Sequence, residues 1–364
     1  MGVKNVLLVA PPLIPTSKDS IAGSEQMIYV LGRALIEQGH NVTTIAREDS
    51  RVYGKLVSGG FKDFQFHKDS EIDQFYQVMA HTASAVRKFI RCNSNLDVIV
   101  DRTCQGLSLQ VSHEENGPPV LCCLNMPSEY FLNIHFFNHL REKFKERKDK
   151  FIAVSNHIAK EYQNALQLGD LKSRMNIIYN GIVTDNFSFS EVHKGYLLYL
   201  GRITKDKAPH LAIKLAQNTD HKIIVAGGNI EGNNTMYQDE GYIEKEIRPL
   251  MNNNVKWHGP ANLEQKVALL KNAKALIFSR ESYEPFSSVP IEAMMCGTPV
   301  IAFDKGGTKE AIINNKTGFL VNTYEEMKKA VSKIDTIDRA TCTLHVKNNF
   351  DYQKMIKKYM ELID

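Results

Sequence analysis

What most restricts the fold of this chain is a recurring pattern: short apolar runs, each followed by a loop and then by a stretch with helical periodicity. NVLLVA (5–10), NVTTIA (41–46), LDVIVD (96–101), PVLCCL (119–124), FIAVS (151–155) and MNIIYN (175–180) read as strands. After the first of them, Met27, Ile28, Leu31 and Leu35 fall on one helical face, and Gly39 is placed to cap that helix. Strands alternating with helices in this way are the signature of βαβ units on a parallel sheet.

At Asn180-Gly181 the pattern breaks into a polar stretch, GIVTDNFSFSEVHKG, and a second cycle begins at YLLYLG (196–201). HKIIVAGG (221–228), NVKWHG (254–259), KALIFS (274–279) and TPVIAF (298–303) continue it. For 364 residues, this organisation predicts two Rossmann-like halves joined near 181–195, with ligands at the carboxyl ends of the strands. The expected domains are 1–185 and 195–345, followed by a charged helix over about 350–364. A dinucleotide dehydrogenase is the first guess for such a fold. However, the loop after strand one, PPLIPTSKDSIAGSEQ, lacks G-x-G-x-x-G, and neither GRITKDK nor AGGNIEG supplies it.

The net charge of +4 gives no reason to expect nucleic acid. The six cysteines (92, 104, 122, 123, 296 and 342) form no C-x-x-C pair, which fits a reducing cytosol. Val6 to Ala10 is strand length, and no run approaches the roughly 18 apolar residues of a membrane span. The expected location is cytoplasmic, with any membrane contact peripheral.

Three segments can carry chemistry. GRITKDK (201–207) directly follows a strand, so Arg202 and Lys207 can converge on one anion as a guanidinium fork and a compact ammonium. The plainer reading is two solvated loop cations. In ESYEPFSSVPIEAMMCG (281–297), Glu284 and Glu292 bracket the start of a helix whose free N–H groups near Phe286, Ser287 and Ser288 suit an anion. Glu292 then leans back towards the helix start, where it can reach the hydroxyls of a ribose, and Glu284 can grip another polyol. The plainer reading here is one loop acid and one solvated helical acid. In IAGSEQ (21–26), Gly23 permits close backbone approach at a helix start, although Gly-Ser is also a common cap.

Taken in order, AGSE (22–25), GHNV (39–42), IAVS (152–155), IIYNGI (177–182), LGRI…K (200–207), VAGG (225–228), EPFSSVPIEAMMCGTPVIA and the D-x-G-G-x-x-E ending at Glu310 resemble the retaining glycosyltransferases of family 4. The resemblance spans nearly the whole chain. It implies an α/β GT-B fold, two Rossmann-like parallel-sheet domains facing across a cleft, with the last helix returning to the first domain. It also implies a nucleoside diphosphate sugar donor, UDP being the common choice with GDP and ADP open. The acceptor would be a glycan, glycolipid or small molecule, reached in cell-surface glycan or glycolipid synthesis. By the same resemblance Arg202 and Lys207 bind the diphosphate, Glu284 holds sugar hydroxyls beside the Phe286-Ser287 and Ser288 backbone, and Glu292 binds the ribose. Gly23 and Asn125 would close on the donor from the first domain, with Gly228 near the base. The chain has no D-x-D, in keeping with the family's metal-independent transfer on one face of the sugar, in which the leaving phosphate helps deprotonate the acceptor. No metal and no other cofactor is expected.

The chain departs from the family pattern at four places. Asn125 stands where many members carry a histidine, Ser287 and Ala208 stand where glycine is usual, and NGIV replaces NGID. Two other readings fit the same residues: a GT-B nucleotide-sugar epimerase, and a sugar-nucleotide-binding protein without catalysis. Glu25 can position an acceptor or serve the helix start. His135 and His139 have a spacing that can bind zinc, but lack a third ligand. REKFKERKDK (141–150) reads as a solvated helix face, with contact to anionic lipid as its functional alternative.

Overall fold

The computed structural model describes residues 2–18, 20, 23–60, 71–103, 106–130, 144–228 and 240–363. The chain divides into two compact units, Met1–Asn180 with Met355–Asp364, and Gly181–Lys354. His135, His139 and residues 141–143 of the basic run lie outside the described residues.

The first unit holds a seven-stranded sheet in the order β3-β2-β1-β4-β5-β6-β7. Its strands are β1 (Asn5–Val9), β2 (Asn41–Arg47), β3 (Lys55–Gly60), β4 (Val98–Asp101), β5 (Val120–Leu124), β6 (Lys150–Ala153) and β7 (Met175–Ile177). Every neighbouring pair is parallel. Parallel strands need crossover helices, which cover both faces and demand apolar runs rather than alternation. β4 and β5 are accordingly buried along their whole length. The helix Gly23–Glu37 returns the chain from β1 to β2 and buries Met27, Ile28, Leu31 and Leu35. Residues 144–150 are not simply a solvated face. Phe144 is buried, and Arg147 donates to Asp149 at 2.8 Å and to the Pro118 carbonyl at 2.8 Å.

The second unit repeats the plan with six parallel strands, β8 (Leu197–Leu200), β9 (Ile223–Ala226), β10 (Val255–Gly259), β11 (Ala275–Phe278), β12 (Val300–Phe303) and β13 (Gly318–Val321). Their order is β10-β9-β8-β11-β12-β13. In both sheets the strand order reverses once, between β1 and β4 and between β8 and β11. At such a reversal, consecutive crossovers leave to opposite faces and open a crevice at the carboxyl ends. Residues 181–195 belong to this unit: Ser190 N–H donates to the Cys296 carbonyl and Lys194 N–H to that of Asn272.

The C-terminal helix Tyr352–Ile363 supplies Tyr359 to the first unit. Its hydroxyl accepts from Arg102 Nη1 at 2.9 Å and lies 3.3 Å from Cys123 Sγ. Arg102 is wholly buried just past β4 and also donates to Asn180 Oδ1 at 3.1 Å. A buried guanidinium is tolerated only when its donors are matched, so this hydroxyl helps tie the last helix to the sheet. Tyr359→Phe should lower stability by about 1–3 kcal/mol. Chemical denaturation checks this, with an unchanged midpoint counting against the tie.

Candidate functional site: a charge cluster at the second sheet's reversal

The loops that leave β8 and β11 meet at the reversal point of the second unit. From the first come Arg202 and Lys207; from the second come Arg280 and Glu284. Lys207 Nζ lies 2.5 Å from Glu284 Oε2, and Arg280 Nη1 binds the same oxygen. Arg280 also reaches Asp206 at 3.4 Å, and Arg202 reaches Asp206 at 3.8 Å. Three cations therefore share two carboxylates, leaving one positive charge in excess. The Lys207, Arg280 and Glu284 side chains are each under one-fifth exposed, whereas Arg202 and Asp206 are about 40% exposed. The sequence reading of two solvated loop cations fails for Lys207, and Arg202 joins the cluster through Asp206.

Both members of the Lys207–Glu284 pair titrate low, for different reasons. Burial alone would raise Glu284, but Lys207 and Arg280 together hold its carboxyl below the ordinary value. Lys207 is lowered by burial first, and the Arg280 charge adds to that against the pull of Glu284.

Backbone geometry makes the cluster possible. A Cβ on Gly227 would lie 2.1 Å from the Gly201 carbonyl oxygen, so only glycine lets the turn after β9 approach the turn after β8. Gly306 (φ +62°) presses against Glu284 in the same way, and Gly307 N–H donates to the Glu284 carbonyl at 2.7 Å. Ala208, where the sequence comparison expected glycine, is left-handed at φ +49° and buried. Its carbonyl accepts from Ser279 Oγ at 2.8 Å, which holds the residue after Lys207 to the end of β11.

Beyond Glu284, Phe286 is buried and packs on Phe350 at 5.9 Å between centroids. Ser287 is the N-cap of the helix Ser288–Met295 but makes no side-chain capping bond. The first-turn N–H groups of Ser288 and Val289 are thus not taken by that hydroxyl, and Pro290 contributes none. A small pocket beside them is lined in part by Gly201, Lys207, Ser279, Arg280 and Ser287. Glu292 is 3% exposed, not a solvated helical acid. Lys266, on the helix Leu263–Asn272, holds its Oε1 at 3.0 Å, while Oε2 is buried without a hydrogen-bond partner. The Gly228 carbonyl accepts from Trp257 Nε1 at 2.9 Å.

The first unit gathers polar groups at the start of the helix Gly23–Glu37. Asn125, just past β5, donates to Ser24 Oγ at 2.5 Å and keeps a buried, unpartnered Oδ1. The space above Gly23 is open, since a Cβ there would meet nothing within 4 Å. Glu25 is 3% exposed with Oε2 unpartnered. Burial pushes its carboxyl up to about 7, against smaller pulls from a backbone hydrogen bond and the charge of Arg102.

Two family models match side by side. Glycosyltransferase Family 4 covers residues 21–186, and Glycosyl transferases group 1 covers 184–340. The chain is a GT-B glycosyltransferase of the group 1/family 4 type. A Klebsiella pneumoniae protein described as an uncharacterized 41.2 kDa protein in cps region is 26% identical over 261 residues, 63% of this chain and 68% of that protein. Among solved structures, a sucrose-phosphate synthase from Thermosynechococcus elongatus matches with a TM-score of 0.77 at 16% identity, over 99% of this chain and 98% of that one. HepE of Anabaena in complex with UDP-glucose matches with a TM-score of 0.73 at 16% identity, over 98% of each chain. Among the described residues, no helix of this glycosyltransferase is long and apolar enough to cross a membrane.

Sequence reasoning did not find Arg280 or Lys266. Arg280 follows β11 by two residues and precedes Glu284 by four, which was a usable signal. Lys266 sits in a helix of mixed charge, and nothing in the letters marks it.

Two outcomes follow. Ala208→Gly should relieve the left-handed strain and raise stability by about 1–2 kcal/mol, measured by denaturant titration. Glu25, with its folded pKa raised, costs stability when ionised. Its neutral form is matched below the ordinary carboxylate pKa, and stability is lost as pH rises towards about 7. Glu25→Gln should therefore melt above wild type at pH 8, with the gap closing as pH falls from about 7 to about 4.5.

Proposed function

We propose that this glycosyltransferase is a retaining, metal-independent enzyme that transfers a sugar from a nucleoside diphosphate sugar, UDP-linked, to an acceptor hydroxyl. The observation that carries this reading is the cluster of Lys207, Arg280 and Arg202 around Glu284 at the carboxyl ends of β8 and β11, close to the start of the helix Ser288–Met295. A departing nucleoside diphosphate gains negative charge, and preorganised cations with uncapped helix N–H groups stabilise such charge without rearranging. Donor binding divides the network: the cations turn to the diphosphate, and Glu284 is released to the sugar hydroxyls. Glu292 Oε2 then accepts from the ribose, which supplies the missing partner of a buried carboxylate oxygen.

In the step itself, the bond between the anomeric carbon and the diphosphate oxygen breaks. The acceptor oxygen bonds to the same face, and its proton passes to the departing phosphate oxygen. No protein nucleophile is required. The UDP assignment draws on the likeness to the fold solved with UDP-glucose, and a role in cell-surface glycan synthesis draws on the relative in a cps region.

Proton NMR of the protein with UDP-, GDP- and ADP-sugars tests this. Release of sugar to water, with its initial anomeric configuration kept, is expected from a UDP-sugar alone. Lys207→Ala and Glu284→Ala should each reduce turnover by about a hundred- to a thousandfold with the fold intact. Wild-type turnover in either variant, or an altered sugar still joined to its nucleotide, overturns the reading.

A further inference from the structure

We propose that Lys266 is a positioning residue that reserves one oxygen of Glu292 for a hydroxyl of the bound nucleotide, and so makes the site selective for nucleotides that carry a ribose diol. This rests on the donor site described under the proposed function and adds to it a residue and a selection rule.

Glu292 lies within the helix Ser288–Met295 at 3% exposure, a position where burying a carboxylate is costly unless a cation pairs with it. Lys266 is that cation, 3.0 Å from Oε1. Its own placement is fixed from two sides. One turn earlier, Asn262 and Gln265 form a capping box that sets the start of the helix Leu263–Asn272. The ammonium also lies 5.7 Å from the centre of the Phe187 ring, whose face attracts it. Lys266 is thereby held on one side of Glu292, and Oε2 is left buried without a partner.

An ionised carboxylate oxygen can only accept, so the group that completes it must donate. A phosphate oxygen cannot. A ribose diol can, and a nucleotide stripped of its diol leaves a buried charged oxygen unmatched. Sites built around such an acceptor reject the analogue that lacks the hydroxyl far more strongly than an apolar contact would.

The experiment is calorimetric titration of the full chain with UDP, GDP and ADP, each against its 2′,3′-dideoxy counterpart. The proteins are wild type, Lys266→Met, Lys266→Gln, Lys266→Arg and Lys207→Ala. Wild type should prefer the diol form of its nucleotide by about a hundredfold. Lys266→Met and Lys266→Gln should bring that ratio to within a few-fold of unity, mainly by weakening the diol form, and Lys266→Arg should restore most of it. Lys207→Ala should weaken both forms alike. The Gln variant carries the test if the Met variant does not fold. An unchanged ratio in the neutral variants, or the lack of a ratio in wild type, overturns the role of Lys266 while leaving the donor site standing. Failure of all three nucleotides to bind, or indifference to Lys207→Ala, overturns the donor site itself.

Discussion

The parallel pairing of β8 with β11, registered at Leu197 with Ala275 and Leu198 with Leu276, is the constraint on which the second unit's chemistry depends. In a parallel pair both strands end at the same edge, so the segments that leave them must start side by side. Because strand order also reverses there, no intervening strand fills the edge, and residues 77 positions apart in sequence meet as Lys207 and Glu284. The glycine at 227 lets the neighbouring turn close in, and the left-handed Ala208 turns the chain just after Lys207. Strain at Ala208 is outweighed by the pairing of both loops.

Two buried glutamates show what such an edge can do with one residue type. Glu284 and Glu25 are both largely withdrawn from water, and desolvation pushes each carboxyl up. At Glu284 two cations in direct contact reverse that push, and the group is held low. At Glu25 the charge of Arg102 offsets only part of the burial, and the carboxyl ends near neutrality. Arg102 also donates to Tyr359 and Asn180. The two cations in contact with Glu284, rather than a difference in burial, separate the two outcomes. Glu292 is a third case, with one oxygen matched by Lys266 and the other left open.

Much of the fold was legible because βαβ units write themselves as local patterns. Eleven of the thirteen strands among the described residues coincide with apolar runs visible in the letters. The exceptions, β3 (KLVSGG) and β13 (GFLV), are both outermost in their sheets. An outermost strand has one neighbour, needs a shorter apolar run, and tolerates glycine, so its signal sinks into that of a loop. The site was half legible. Lys207, Glu284 and Glu292 stand in segments whose spacing and order point to an anion and a polyol. Arg280 and Lys266 stand in no such segment.

By itself, then, the sequence determined two α/β units, the strand ends at which chemistry gathers, and the residue types suited to a sugar nucleotide. These follow from periodicity, glycine placement and short-range order, all of which act within one βαβ unit. Only the tertiary structure decided that Lys207 and Arg280 share one carboxylate, that Glu292 is buried with a single free oxygen, and that Glu25 is not simply a helix cap. The Lys207–Glu284 and Lys266–Glu292 contacts span 77 and 26 residues, and the state of each acid depends on desolvation and neighbouring charges. They come into being only when the strands pair, because water screens the same groups in the unfolded chain.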